Sequence, residues 1–300
     1  MEQNTIMLTL TNCPVCNSTE FKHRISCKDF TVSHNTFNIV ECKHCYFLFT
    51  NPRPTDDNLP DFYKSIKYIS HSDTKKGFIS QVYHFVRNYT LNQKLRFLKA
   101  NVAVGNLLDY GCGTGMFLNQ AKAKGWNSFG TEPDDGARDL ANKNKKLAFG
   151  NKQELNSFDP LITFNAITLW HVLEHVTDLP ETLNFFKQKL NPNGVLIIAV
   201  PNYNSFDAKH YKAHWAAYDL PRHLYHFESK TICQLMAKYG FVMHKTYPMN
   251  FDSFYVSMLS EKYLLGRMNY LKAFLVGLRS NLKANNATDY SSVIYVFKHA

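Results

Sequence analysis

Hydrophobic and polar positions change period several times along this chain. Phe78, Val82, Phe85, Tyr89, Leu95 and Leu98 recur at helical spacing and predict a helix ahead of the core. Then come apolar runs at Leu107-Leu108, Ile162 to Trp170 and Val195 to Val200. Continuous runs of this kind predict parallel strands covered on both faces. Met116 to Lys124 and Asp178 to Leu190 read as helices between them, and Asn191-Pro192-Asn193-Gly194 as a turn. Thr231 to Tyr239 predicts a helix stopped by Gly240, with strands Phe241 to Tyr247 and Ser291 to Lys298 after it. Helices alternating with buried strands predict an α/β fold.

The sharpest signal is Leu107-Leu108-Asp109-Tyr110-Gly111-Cys112-Gly113-Thr114-Gly115. Glycine reaches positive φ and has no Cβ, so a ligand can lie against the main chain. The helix that follows turns its N-terminal amides into the same crevice. Dinucleotide-binding turns space their glycines G-x-G-x-x-G; here the third comes one residue early, which argues against a nicotinamide dehydrogenase. The next strand, Asn127 to Thr131, ends at Glu132-Pro133, where an acid can accept from both hydroxyls of a ribose.

Asp109, Gly111, Cys112, Gly113, Gly115, Glu132 and Pro133 together resemble motifs I and II of class I S-adenosylmethionine (SAM)-dependent methyltransferases. Trp170-His171-Val172-Leu173-Glu174-His175-Val176 resembles the "hxxEHv" segment after their fourth strand. The resemblance covers about Lys94 to Tyr247 and the last ten residues. It implies a Rossmann-like seven-stranded sheet in the order 3-2-1-4-5-7-6. It also implies SAM as cofactor, with Trp170 and His171 lining its crevice.

The segment His171 to His175 also spells H-x-x-E-H, an inverted zinc-protease motif, but that motif belongs on a long helix. Quinone-precursor O-methyltransferases of this fold carry E-x-x-E-H at the same place, an acidic metal cluster. Glu174 and His175 match it, while His171 stands where the first Glu would be. Two readings stand: divalent-metal assistance, or a loop held by hydrogen bonds.

Four of seven cysteines form two C-x-x-C knuckles, Cys13/Cys16 and Cys42/Cys45, separated by 25 residues. Such pairs can aim four thiolates at one ion and predict a closed, structural Zn2+ site. The layout of ribbon, helical connector and SAM domain looks like deoxysugar C-methyltransferases and related small-molecule enzymes. The expected organisation is a zinc-ribbon at 1–54, a helical connector or lid at 55–100, and a methyltransferase core at 101–250. A helical insertion at 251–290 and a final core strand at 291–300 follow.

Substrate chemistry is expected in the loop 203–228, above the carboxyl ends of the strands. Leu220-Pro221-Arg222-His223-Leu224 resembles the "PrH" segment of small-molecule methyltransferases. His223 is the expected base, Asp219 (or Glu228) its orienting carboxylate, and Arg222 an anchor for an anionic substrate. The competing reading has Arg222 and His223 pinning the loop to the core. Among the aromatics of the connector, Tyr63, Tyr68 and Tyr83 are the candidates for a lid over substrate.

The chain has 300 residues, formal charge +10 and 45% hydrophobic content. Its basic excess lies outside the knuckles, at Lys64 to Lys99, Lys143 to Lys146 and Lys262 to Lys283, so a small-molecule acceptor is expected rather than nucleic acid. The expected activity is methyl transfer to a sugar, a lipid-linked compound or a quinone- or phenol-like acceptor. An RNA methyltransferase and a non-catalytic SAM-binding subunit are the alternatives. No run of about 18 apolar residues predicts a spanning helix, and a cytoplasmic location follows. In 251–283, apolar positions alternate with Lys262, Arg267, Lys272 and Arg279. They predict amphipathic helices that cover the pocket, form a homodimer interface or lie on a membrane.

Overall fold

The computed structural model describes residues 6–63, 78–143 and 148–300. Tyr68, the basic residues Lys145 and Lys146, and the side chains of Phe78, Val82, Tyr83 and Phe85 lie outside the described residues.

The N-terminal unit holds β1 (Met7–Leu8), β2 (Phe21–Lys28), β3 (Thr36–Cys42), β4 (Leu48–Thr50) and β5 (Arg53–Pro54). The long helix α1 (Phe78–Asn101) leads into β6 (Asn106–Tyr110), α2 (Met116–Ala123), β7 (Asn127–Thr131) and α3 (Asp135–Asn142). Next come β8 (Ala148–Phe149), α4 (Lys152–Phe158), β9 (Phe164–Trp170), α5 (Leu179–Lys189) and β10 (Leu190–Pro201). After α6 (Phe206–Tyr211) and β11 (Tyr225–His226), α7 (Ser229–Lys238) leads to β12 (Phe241–Pro248). The helical hairpin α8 (Asp252–Leu265) and α9 (Tyr270–Lys283) precedes the last strand, β13 (Ser292–His299).

The central sheet has seven strands in the order β12-β13-β10-β9-β6-β7-β8, which is the expected 3-2-1-4-5-7-6. Strands β8, β7, β6, β9 and β10 run parallel, and β13 enters antiparallel between β10 and β12. Side chains alternate across the sheet. Leu108, Ile167, Leu169, Leu196 and Ile198 meet α5 through Leu179, Leu183 and Phe186. Leu107, Ala166, Ile197 and Ala199 meet α1 and α2 through Leu91, Leu95, Leu98 and Phe117. Burial on both faces explains why the strands read as unbroken apolar runs. Each fully buried side chain such as Leu98 adds about 1.5–3 kcal/mol.

Helix α5 starts where Asp178 accepts from the Glu181 amide and Pro180 enters the first turn. The expected turn at Asn191 to Gly194 is not a separate element. It belongs to β10, whose pairing with β9 shifts register between Leu190 and Val195. Extended backbone accommodates the proline there because the irregularity interrupts the ladder.

A second sheet has the order β11-β4-β3-β2. Its fourth strand comes from the loop 203–228, through Tyr225 opposite Phe49 and His226 opposite Leu48. The N-terminal unit and that loop therefore share one sheet. Among the described residues, no helix is long and apolar enough to cross a membrane.

Candidate active site and cysteine cluster

Strand β6 ends in Asp109, and the chain then passes Gly111, Gly113 and Gly115 at φ +74°, +54° and +74°. The three glycines have different reasons to be small. A Cβ on Gly111 would lie 2.6 Å from Val172, and one on Gly115 2.9 Å from Ala141. A Cβ on Gly113 would meet none of the described residues within 4 Å, so among them the backbone is bare at this point of the turn. Glu132, beyond the end of β7, accepts from the amides of Gly113 at 2.8 Å and Asp134 at 3.0 Å. Pro133 sits between them. Cys112 is buried behind the turn. Asp109 is buried and accepts from Thr168 Oγ1 at 2.7 Å. Burial pushes its carboxyl up to about 7, against the Thr168 bond and the charge of Lys94.

Trp170 ends β9 and His171 follows it, at the carboxyl edge of the sheet that also carries the glycine turn. Lys94 of α1 places Nζ 4.5 Å from the centre of the Trp170 ring. His171 has φ +59°, and its amide donates to Ala199 O at 3.0 Å. Its Nε2 lies 3.1 Å from Asp252 Oδ2 and its Nδ1 3.4 Å from Glu174 Oε1. Burial opposes charge on this ring, but the two carboxylates outweigh it and hold its pKa up to about 10. His171 is therefore a cation at neutral pH. Lys94 and Asp252 were absent from the sequence expectations. Lys94 carried a signal, because it falls on the stripe of Leu91 and Leu98. Asp252 carried none, because its partner lies far away in sequence.

The segment after His171 is a single turn, Leu173–His175, not a long helix, which removes the protease reading. Glu174 is fully buried; beyond the 3.4 Å ion pair of its Oε1 with His171, its carboxylate has no hydrogen-bond partner among the described residues. One ligand atom each from Glu174, His175 and His223 lie within 4.8 Å of one another. His175 Nδ1 is 3.1 Å from Arg222 O and 3.0 Å from Tyr63 OH.

Of the expected catalytic residues, His223 is 8% exposed, and its Nδ1 lies 2.9 Å from Ala217 O. A carbonyl only accepts, so Nδ1 carries the proton and Nε2 the lone pair. Burial, and then His175, push the His223 pKa well below its ordinary value. The orienting group is thus the Ala217 carbonyl and not the carboxylate of Asp219. Glu228 caps α7 instead.

Arg222 departs further from expectation. It is 1% exposed, binds Asp219 through Nε and Nη2 at 2.9 and 2.6 Å, and reaches Asp29 at 3.2 Å and Phe62 O at 3.0 Å. A guanidinium enclosed by these acceptors offers no face to an incoming anion. It ties the loop to β2 and the connector, which replaces the anchor role.

The four cysteines of the knuckles come together. Cys13 and Cys45 sulfurs are 3.6 Å apart, those of Cys16 and Cys42 3.5 Å, and all four lie within 4.8 Å. A tetrahedral Zn2+ with Zn–S of about 2.3 Å spaces its sulfurs by about 3.8 Å. Asn17 and Tyr46, each directly after a knuckle, both take φ near +65°. The two loops thus turn back in the same way. Lys238 of α7 donates to Val15 O at 2.6 Å and holds the first knuckle against the core.

Comparison with known proteins agrees with this architecture. The methyltransferase domain family matches residues 82–246, more than half of the chain. The ubiquinone biosynthesis O-methyltransferase of Rhodopseudomonas palustris (strain BisA53) is 26% identical over 102 residues, 33% of this chain and 40% of that protein. The chain thus matches about two fifths of that relative's length. Magnesium protoporphyrin IX methyltransferase from Synechocystis PCC 6803, solved with bound S-adenosylhomocysteine, superimposes with a TM-score of 0.53 at 12% identity. That match covers 82% of this chain and all of the other. Geranyl diphosphate C-methyltransferase from Streptomyces coelicolor A3(2) aligns at 17% identity with a TM-score of 0.48, over 72% and 82% of the two chains. With the glycine turn, the sheet order and the family match together, this chain belongs to the methyltransferase domain family and has the class I methyltransferase fold.

Proposed function

We propose that the chain methylates a small-molecule acceptor: a sugar, a lipid-linked compound or a quinone- or phenol-like ring. Asp109, Gly111, Cys112, Gly113, Gly115, Glu132 and Pro133 hold the cofactor, with Trp170 and His171 along its crevice. The observation that carries this reading is the bare backbone at Gly113, directly beside the Glu132 carboxylate. The bound cofactor supplies an electrophilic methyl group on a sulfonium.

A hydroxyl or activated carbon that attacks such a methyl must lose a proton. His223 accepts it at Nε2, because its Nδ1 proton is committed to Ala217 and its ring is neutral. Asp219 and Arg222 act as positioning residues that fix the turn bearing His223. His171, held as a cation, is unsuited to this task. A Zn2+ bound by Cys13, Cys16, Cys42 and Cys45 has a structural role, since four thiolates leave no open position.

Calorimetric titration with S-adenosylhomocysteine, with NADH as control, tests the cofactor site. Micromolar binding, abolished by Gly113→Arg and weakened at least tenfold by Glu132→Ala, is expected. No binding to a folded sample would overturn it. Screening sugar, lipid and phenol acceptors with wild type and His223→Ala then tests the base.

A further inference from the structure

The hairpin α8–α9 leaves one face uncovered. Leu271, Phe274, Leu275, Leu278 and Leu282 are 37 to 76% exposed. At 3.6 residues per turn they fall within an arc of about 100° on α9. The opposite face, Ala273, Val276, Gly277 and Ser280, is buried, with Gly277 against α8 and Ser280 donating to Asp207 of α6 at 2.7 Å. Gly277 lets the helices touch, since a Cβ there would lie 2.8 Å from Phe254 Cδ1. The exposed stripe is therefore not a frayed core. It is the outer side of a tightly packed hairpin.

Charge selects what covers it. Lys272, Arg279 and Lys283 follow one another at seven and four residues, so they form a row along one edge of the stripe. From Lys262 to Thr288 the chain holds five Lys and Arg residues and no Asp or Glu. Lys272 is paired with the buried Glu261 at 3.1 Å, so a second copy would bring Arg279 and Lys283 against the same two cations, with no acid on that edge of the stripe. An anionic lipid surface supplies the missing charge and a medium for the apolar stripe.

We infer that α9 docks this protein, lying flat, on anionic phospholipid bilayers. The root of the hairpin is at the crevice, because Asp252 begins α8 and contacts His171. On the function proposed above, docking turns the acceptor side of the site toward the bilayer and favours an amphiphilic or lipid-linked acceptor.

Flotation of the full chain with phosphatidylglycerol–phosphatidylcholine vesicles tests this. Binding is expected to the mixed vesicles, about tenfold weaker to pure phosphatidylcholine and weakened by high salt. Leu271→Glu with Leu275→Glu should lower binding at least tenfold; Arg279→Glu with Lys283→Glu should remove the preference for anionic lipid. Wild type that fails to float with anionic vesicles would overturn the inference. So would a dimer in sedimentation equilibrium that the double leucine variant splits. Calorimetry with S-adenosylhomocysteine on the same samples reads the cofactor site separately, so the two readings fail independently.

Discussion

His171 Nε2 meets Asp252 Oδ2 at 3.1 Å and joins the end of β9 to the first residue of α8. This contact fastens the C-terminal hairpin to the cofactor crevice. His171 pays for its left-handed backbone at φ +59° with about 1–3 kcal/mol of strain, which its two carboxylates and the Ala199 carbonyl offset.

The pair makes stability depend on pH with a defined sign. The folded pKa of His171 is raised to about 10 from an ordinary value of 6.5. Its contribution is complete below the ordinary value and is lost as pH climbs through the folded one. The melting temperature of wild type should therefore fall from about pH 6.5 toward pH 10. Asp252→Asn should lower the starting value and flatten that decline. Thermal melts across this range, with wild type and variant in parallel, check it.

Gly111 and Gly113 should separate stability from binding. Gly111→Ala drives a methyl group into Val172, so it should destabilise by about 2 kcal/mol or more. Gly113→Ala meets open space and bears only the left-handed penalty of about 1 kcal/mol. Yet that methyl group would stand where the cofactor approaches. The expected order is reversed between melting temperature and S-adenosylhomocysteine affinity: Gly111→Ala melts lower, while Gly113→Ala retains its fold and binds worse.

If the four cysteines hold Zn2+ as proposed, its removal should reach the turn that bears His223. Strand β4 carries Thr50, whose Oγ1 donates to His223 O at 2.7 Å and whose amide donates to Leu224 O at 2.9 Å. A structural Zn2+ contributes on the order of 10 kcal/mol to the fold around it. Cys42→Ser, or chelation, should release zinc, unfold β2 to β4 and loosen the turn bearing His223. Metal content should drop, and acceptor turnover should fall more steeply than S-adenosylhomocysteine binding.

Arg222 should behave as a buried ionic tie. Arg222→Met leaves Asp219 and Asp29 without their cation and should cost about 3–5 kcal/mol. Asp29 provides a second check. Burial opposes its charge, but Arg222 and the amides of Thr31 and Ser33 bring its pKa to about 2. Its stabilisation is present above its ordinary value and disappears as pH falls toward that figure. Arg222→Met should therefore be less stable at neutral pH and show a smaller loss on acidification, by chemical denaturation at each pH.

Local chemistry made much of the molecule legible. Apolar runs, caps and breakers respond to nearest neighbours in the chain. Leu107 to Gly115 therefore announced both the first core strand and the glycine turn after it, and C-x-x-C spacing announced the cysteine cluster. What depends on distant partners was not legible. Arg222 was expected to face a substrate because its charge is visible in sequence, whereas Asp29, one of the two acids that enclose it, comes from another unit. Asp252 and Lys94 come to the end of β9 from helices far apart in sequence, where they meet His171 and Trp170. The pairing of β4 with β11 likewise joins the N-terminal unit to the loop of His223. Sequence by itself determined most secondary elements and the glycine turn, because short-range sterics and burial periodicity set them, while the sheet order was legible only through the family resemblance. Only the tertiary structure decided which charges are paired and which imidazole is neutral, because desolvation and Coulomb energy depend on what surrounds a group in space.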